Sequence, residues 1–261
     1  MDSFSYDTYK RLIKDLMKVM PLIDFADVQD HDERFFLLRH DVEFSIEKAF
    51  AMAKLEHEKM GISSSYFFQI RNDSYNPLSY RSKELIQNIH AMGHKIGLHV
   101  NTGSQKDFSQ ITSSVKQDVE LLQNGLGIAI DRFSWHRPSH ELLKKNIKIK
   151  GLINTYDKRF FHFYGNKPQD ILKIYYYSDS EHIWKYGDPL NILHKPVKKM
   201  QLLIHPYSWS KQGYDNETNF KTIIAEKYHL MRQAMNSECH HFPQEFLPKN
   251  VCLCNIKTQD N

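Results

Sequence analysis

The sequence predicts an α/β fold in which about seven strand–helix units close, or nearly close, into a barrel. Three observations carry this. Strand-like and helix-like segments alternate from about residue 34 onward. Several strand candidates are short continuous apolar runs, the pattern of strands covered on both faces. A chain of 261 residues holds about seven such units more readily than two small domains. An open doubly wound sheet is the alternative, but no G-x-G-x-x-G follows the first strand, so a dinucleotide fold has no support.

The elements follow in order. Phe35 to Leu38 is the first buried-strand run. Residues 45–60 carry Ile46, Ala49, Phe50 and Ala53 at helical spacing, with Ser45 as N-cap and Gly61 as the residue past the end. Lys48 stands at the third helical position, so there is no capping box. The strand 65–70 precedes a helix over 79–92, with Leu85, Ile86 and Ile89 on one face and Gly93 after it. The strand 95–100 precedes a helix marked by Phe108, Ile111, Val115, Val119 and Leu122. Shorter signals follow: a strand over 132–135, a brief helix over 141–146 and a strand over 152–156. Residues 157–200, rich in Tyr, Phe, His and Lys, show no clean period. Gln201 to Ile204 is again a buried strand, and Phe220 to Met231 the last helix. The chain is thus expected to comprise a helical lead-in over 1–33, the barrel over 34–236 and a tail or capping element over 237–261.

Composition excludes several classes. Hydrophobic residues make up 41% and charged residues 25%, which is ordinary for a globular protein, and the 10 Gly and 9 Pro exclude collagen-like or Pro/Gly-rich chains. A net charge of +4, with basic residues dispersed, argues against nucleic acid or anionic membrane as the main partner. No apolar run reaches the roughly 20 residues of a membrane span. The N-terminus lacks a basic region followed by an apolar stretch, and Cys239, Cys252 and Cys254 are too few and too clustered for a disulfide framework. A cytoplasmic address with reduced thiols is expected. The Cys252-x-Cys254 spacing is poor evidence for structural zinc, and ordinary thiols are the expectation.

The sequence holds 15 histidines, but the informative fact is where four of them fall. His40, His99, His136 and His205 each follow a predicted apolar strand, and Asp41, Glu43 and Arg137 lie beside them. In a parallel barrel the carboxyl ends of all strands converge on one face, so these positions meet there. Imidazole and carboxylate together suit a divalent metal, whose bound water becomes acidic, while a second carboxylate acts as general base. A hydrogen-bonded histidine in a loop is the plain alternative for each position taken singly.

LLRHDVEFS (37–45), MGHKIGLHVN (92–101), SWHRPS (134–139), YYSDS (176–180) and LLIHPYSW (202–209) resemble the polysaccharide deacetylase superfamily, in a divergent branch associated with bacterial surface-polysaccharide biosynthesis. The resemblance covers about residues 34–210. It implies a distorted (β/α) barrel and metal-dependent removal of acetyl groups from N-acetylated sugars. It also implies Asp41 as base, Glu43 and His99 as metal ligands, Arg137 as the arginine holding the base, and His205 as general acid. His94 matches a position that supports its strand. Asp179, Trp184 and Trp209 are expected to line the sugar site, the alternative being an aromatic strand with an exposed Asp. The metal is expected to be zinc, and the partner an N-acetylated sugar or glycan precursor.

Two departures stand out. The family's second ligand histidine, four residues after the first, is here Gly103, which leaves His136 or Asn101 to complete the metal site. Glu43 replaces the more common Asp. A non-catalytic glycan-binding protein on the same fold, and a metal-dependent hydrolase of another small amide, are the competing readings.

Overall fold

A computed structural model describes residues 4–29, 33–103, 105, 107–161, 174–196 and 198–239. Seven parallel strands form one sheet: β1 (Arg34–Val42), β2 (Ser65–Phe68), β3 (Lys95–Val100), β4 (Arg132–Trp135), β5 (Ile153–Asn154), β6 (Tyr175–Ser178) and β7 (Lys198–Ile204). Their spatial order is β5-β4-β3-β2-β1-β7-β6. This is the sequential order of a (β/α) barrel, with β7 returning to β1 and the ladder interrupted between β5 and β6.

Side chains at the seam show how far the sheet curls. Arg39 lies on β1, four strands away from β5 across the sheet, yet its Nη1 donates to Thr155 Oγ1 at 3.0 Å, just past β5 at one edge. Tyr156 and Tyr176, from the two opposite edges, bring their ring centroids to 6.5 Å. Gln201 on β7 donates to the carbonyls of Thr155 and Phe160, both at 2.8 Å. The edges therefore meet through side chains rather than through a backbone ladder.

Strand parity sorts the residues between two faces. On β1, Phe36, Leu38 and Val42 point outward, where the helices cover them. Helices α2 (Ile46–Met60), α3 (Tyr80–Ala91) and α4 (Phe108–Leu126) pack over β1 to β4 around Tyr66, Phe68, Leu98 and Phe133. A second core joins α1 (Tyr6–Met17) to β6 and β7 through Leu12, Leu16, Tyr177, Met200 and Trp209. Inside the barrel, Phe25, Phe35, Leu37, Phe160 and Ile174 close the base, and Arg39, Asp41, His99, Ser134 and Gln201 stand above them beside the Phe67 ring. One interior position excludes any side chain: a Cβ on Gly97 would sit 2.5 Å from the Phe67 ring and 2.8 Å from Arg132 Cγ.

The expected boundaries of α2, α3 and the brief helix agree closely with those observed, while α4 and the last helix run longer than expected. Ser45 accepts from Lys48 N at 3.1 Å, and Gly61 ends α2 in the left-handed conformation at φ 64°. The brief helix is α5 (His140–Lys145), and α6 (Asn216–Glu238) is the last. The largest difference is β1, which continues through Arg39 to Val42 instead of ending at Leu38. Residues expected in a loop are therefore in the strand, and parity governs them. The other difference is β6, within the stretch that showed no period. Its three tyrosines and Ser178 are all buried, so no alternation marks the strand. Of the expected 237–261 tail, residues 240–261, with Cys252 and Cys254, lie outside the described residues. Cys239 is exposed and free among the described residues.

Candidate active site

Parity places Arg39 and Asp41, two residues apart on β1, on the same interior face. There they form a fork: Arg39 Nε donates to Asp41 Oδ1 at 2.9 Å, and Nη2 to Oδ2 at 2.6 Å. The remaining guanidinium donors go to Thr155, Gln201 Oε1 at 2.9 Å and the Tyr156 hydroxyl at 3.0 Å. Both residues are buried. Burial alone would push the Asp41 carboxyl up. The charge of Arg39, reinforced by the fork and by the His205 imidazolium, instead holds it well below the usual carboxylate range. Asp41 is ionised at any ordinary pH.

Glu43 follows β1, His99 lies on β3 and His136 follows β4. One ligand atom from each lies within 4.8 Å of the other two. His136 Nδ1 is 3.2 Å from Glu43 Oε1 and 3.2 Å from His99 Nε2. The end of β4 is fixed by His136 N donating to Val100 O at 2.8 Å, and Asn72 holds the Glu43 carbonyl at 2.9 Å. Burial lowers the His99 pKa to about 4 against the opposing pull of Asp41, so its imidazole is neutral. Ser134 Oγ lies 2.7 Å from His99 Nδ1 and donates to Asp41 Oδ1 at 3.2 Å. Because that hydroxyl gives its hydrogen to Asp41, it accepts from His99 Nδ1–H, and the Nε2 lone pair is left facing Glu43 and His136. A neutral imidazole fixed in this tautomer, a second imidazole and an ionised carboxylate fit a divalent ion such as zinc. Gly103 takes no part. It sits in an exposed turn at φ 54°, where Asn101 Oδ1 accepts its N–H at 3.0 Å. His136, and not Gly103, clusters with Glu43 and His99, while Asn101 Oδ1 accepts a hydrogen bond within the turn.

His205 follows β7. Its Nδ1 is 2.7 Å from Asp179 Oδ1, and its backbone N–H donates to the same carboxylate at 2.9 Å. Trp209 Nε1 donates to Asp179 Oδ2 at 2.6 Å. Burial lowers the His205 pKa, but the charge and hydrogen bond of Asp179, joined by Glu43 and Asp41, raise it to about 9. The imidazolium holds a proton on Nε2, 3.8 Å from Glu43 Oε1.

Several sequence expectations are corrected by position. Arg39, not Arg137, holds Asp41: Arg137 is exposed and makes no hydrogen bond or ion pair among the described residues. Asp179 and Trp209 are both 0% exposed, so neither lines a sugar site; the pair orients His205 instead. Trp184 packs its ring against Phe4 and Trp209 in the outer core. His40 has the opposite parity to Asp41 and points away from the site, toward Glu56 at 2.8 Å.

Above the cluster opens a cleft of about 220 Å³, lined by Glu43, Phe44, Gln69, Asn72, His136 and Arg137 among others. Phe44 is the aromatic side chain that lines this cleft among the described residues, held edge-on by Tyr207 and Phe220. Sequence reading missed it because it stands alone between Glu43 and the helix cap. Arg137 has a left-handed backbone, φ 46°, directly before Pro138. Such a backbone costs a non-glycine residue about 1–3 kcal/mol.

No protein-family model matches the chain, and no curated protein matches it. Among solved structures it is similar to the Xyl-CE4 domain of a multidomain xylanase from the hindgut metagenome of Trinervitermes trinervoides. That match has 12% identity and a TM-score of 0.41 over 78% of this chain and 85% of that one. A family 4 carbohydrate esterase from Bacillus anthracis matches at 12% identity and TM-score 0.41, covering 85% of this chain and 86% of that one. BA3943 from Bacillus anthracis, described as a CE4 family pseudoenzyme, matches at 12% and 0.42, over 77% and 63% of the two chains.

Proposed function

We propose that this chain is a divergent polysaccharide deacetylase: a metal-dependent hydrolase that removes an acetyl group from an N-acetylated sugar or glycan precursor of surface-polysaccharide biosynthesis. The observation that carries the reading is the placement of an ionised carboxylate and a protonated imidazole on either flank of one ligand cluster. Asp41 Oδ2 lies 3.6 Å from His99, and His205 Nε2 lies 3.8 Å from Glu43.

Glu43, His99 and His136 would hold the ion. When bound, a divalent ion supplies Lewis acidity toward a water and the acetyl carbonyl. Asp41 Oδ2 accepts the proton of the attacking water, and Arg39 keeps that oxygen aimed and ionised. His205 gives its Nε2 proton to the departing nitrogen, with Asp179 stabilising the imidazolium before transfer. A carbon–oxygen bond forms, the amide carbon–nitrogen bond breaks, and acetate and a free amine leave. Phe44 offers an apolar face to the sugar ring.

The test is acetate release from a panel of N-acetylated sugars by zinc-loaded protein, with zinc affinity measured separately by calorimetry. Asp41→Asn and His205→Ala are each expected to lower the rate about 10²–10⁴-fold. Glu43→Ala and His136→Ala are expected to lose the ion. A protein that binds no divalent ion, with acetate release indifferent to Asp41→Asn, overturns the reading.

One observation favours a second reading. Arg39 holds Asp41 so low that it is a reluctant proton acceptor, as suits a site that binds a glycan without hydrolysing it. Glycan affinity that survives chelation, with no acetate released, would establish that reading instead.

A further inference from the structure

Arg137 is left over once the site is accounted for. Asp41 already has its full counter-charge in Arg39 and needs no second guanidinium. Arg137 nonetheless stands on the wall of the same cleft as Glu43 and His136, one residue from a candidate ligand, on a left-handed backbone before Pro138. Backbone of that kind persists where the surroundings impose it, and it is concentrated at ligand-contacting positions.

The cleft's other charges are settled or opposed. Arg71, which also lines it, is neutralised by Asp118 through two hydrogen bonds at 3.0 and 2.8 Å. Glu43 faces His136 and His205. Asp73 is exposed on the same wall, within 4.0 Å of no basic group among the described residues. Among the described residues that line the cleft, Arg137 is thus the one arginine and Asp73 the one carboxylate left without a charged partner. A guanidinium is a planar fork matched to two oxygens of a carboxylate or phosphate.

We propose that Arg137 is a specificity residue that grips an anionic oxygen group, phosphate or carboxylate, on the sugar whose acetamide enters the site. The substrate class is then an acidic N-acetylated sugar, and Asp73 limits how strongly it binds. The sugar half of this inference rests on the deacetylase reading; the anion half rests on Arg137 alone.

Binding is measured by calorimetry in zinc-loaded Asp41→Asn protein, so that no ligand is consumed. The probes are N-acetylglucosamine, its 1-phosphate and an N-acetylhexosaminuronate; the last two separate phosphate from carboxylate. The parent is expected to prefer at least one acidic probe over the neutral sugar. Arg137→Ala is expected to cut that preference about tenfold, Arg137→Lys to restore it only in part, and Asp73→Asn to increase it. High salt should erode the preference in the parent and not in Arg137→Ala. An equal loss of affinity for neutral and acidic probes in Arg137→Ala, or a preference unmoved by that variant, overturns the proposal. The two readings fail separately. Arg137-dependent preference without acetate release from Asp41-intact protein sinks the deacetylase and keeps the anion grip; acetate release without that preference does the reverse.

Discussion

Two adjacent residues of β1 serve two buried carboxylates on opposite sides of the sheet. Inside, Asp41 is met by the full positive charge of Arg39. Outside, His40 joins Tyr9, Ser64 and Tyr66 in donating to Glu56 of α2, with His94 Nδ1 at 3.6 Å. Glu56 is fully enclosed, with every lone pair directed at a donor. Burial alone would raise its pKa, but the charge and hydrogen bond of His40, joined by His94 and Tyr9, bring it down to about 2. The difference is in what remains free. Glu56 is saturated by its own fold and ties α1, α2, β1 and β2 together. Asp41 is compensated by a cation, while its Oδ2 lies 3.6 Å from His99 Nε2, beside the ligand cluster. A buried charge enclosed by its own fold is an anchor; one forked by a guanidinium beside a group of metal-ligating side chains is placed for chemistry.

That contrast can be broken from either side. The largest effect is expected for Arg39→Leu, which strands Asp41 without its counter-charge. The loss should be about 3–5 kcal/mol in chemical denaturation. Adding Asp41→Asn on top should recover part of it, because the stranded charge is then gone. Glu56→Gln should cost about 1.5–3 kcal/mol, the scale of hydrogen bonds to a charged group, while leaving the rate per folded molecule intact. An equal loss of rate would show that the outer network also sets the site's geometry.

Acid titration sharpens the same point. Glu56 is depressed from its unfolded value of 4.5, so its contribution is complete above that value. It is lost as the pH falls from 4.5 through about 2. Asp41 has the same sign, so the parent should lose stability steeply in acid, and Glu56→Gln should show a shallower slope over that window, read from urea midpoints against pH. Ser134→Ala should then lower zinc affinity about tenfold by releasing the His99 tautomer, a scale typical of residues that orient metal ligands. The smallest effect is expected for Arg137→Gly. Relief of the left-handed backbone should raise stability by about 1 kcal/mol, read as a higher melting temperature, even as discrimination between acidic and neutral sugars is lost.

Much of the site was legible because strand ends are easy to find. Glu43, His99, His136 and His205 each stand directly past, or at the end of, an apolar run, and the fold brings them together. The arginine that holds Asp41 is Arg39, and the sequence carries a signal for it. Residues two apart on a strand share a face, and Arg39-x-Asp41 is such a pair. A strand ending at Leu38 hides that pair, because parity then no longer applies to it; β1 runs on to Val42. His40, one residue from Asp41, belongs to the far face for the same reason. Asp179 is different in kind. Nothing local ties it to His205, 26 residues away, and their contact exists only because β6 pairs with β7. The β6 strand itself was hidden because both of its faces are buried.

The gap between β5 and β6 has a consequence for how such a protein diversifies. A closed ladder would fix the girth of the barrel through backbone register, and changing it would mean shifting whole strands. Here one glutamine and one guanidinium clasp the two rims. Girth is thereby delegated to side chains, so single substitutions at Gln201 or Thr155 can widen or narrow the interior without re-registering the sheet.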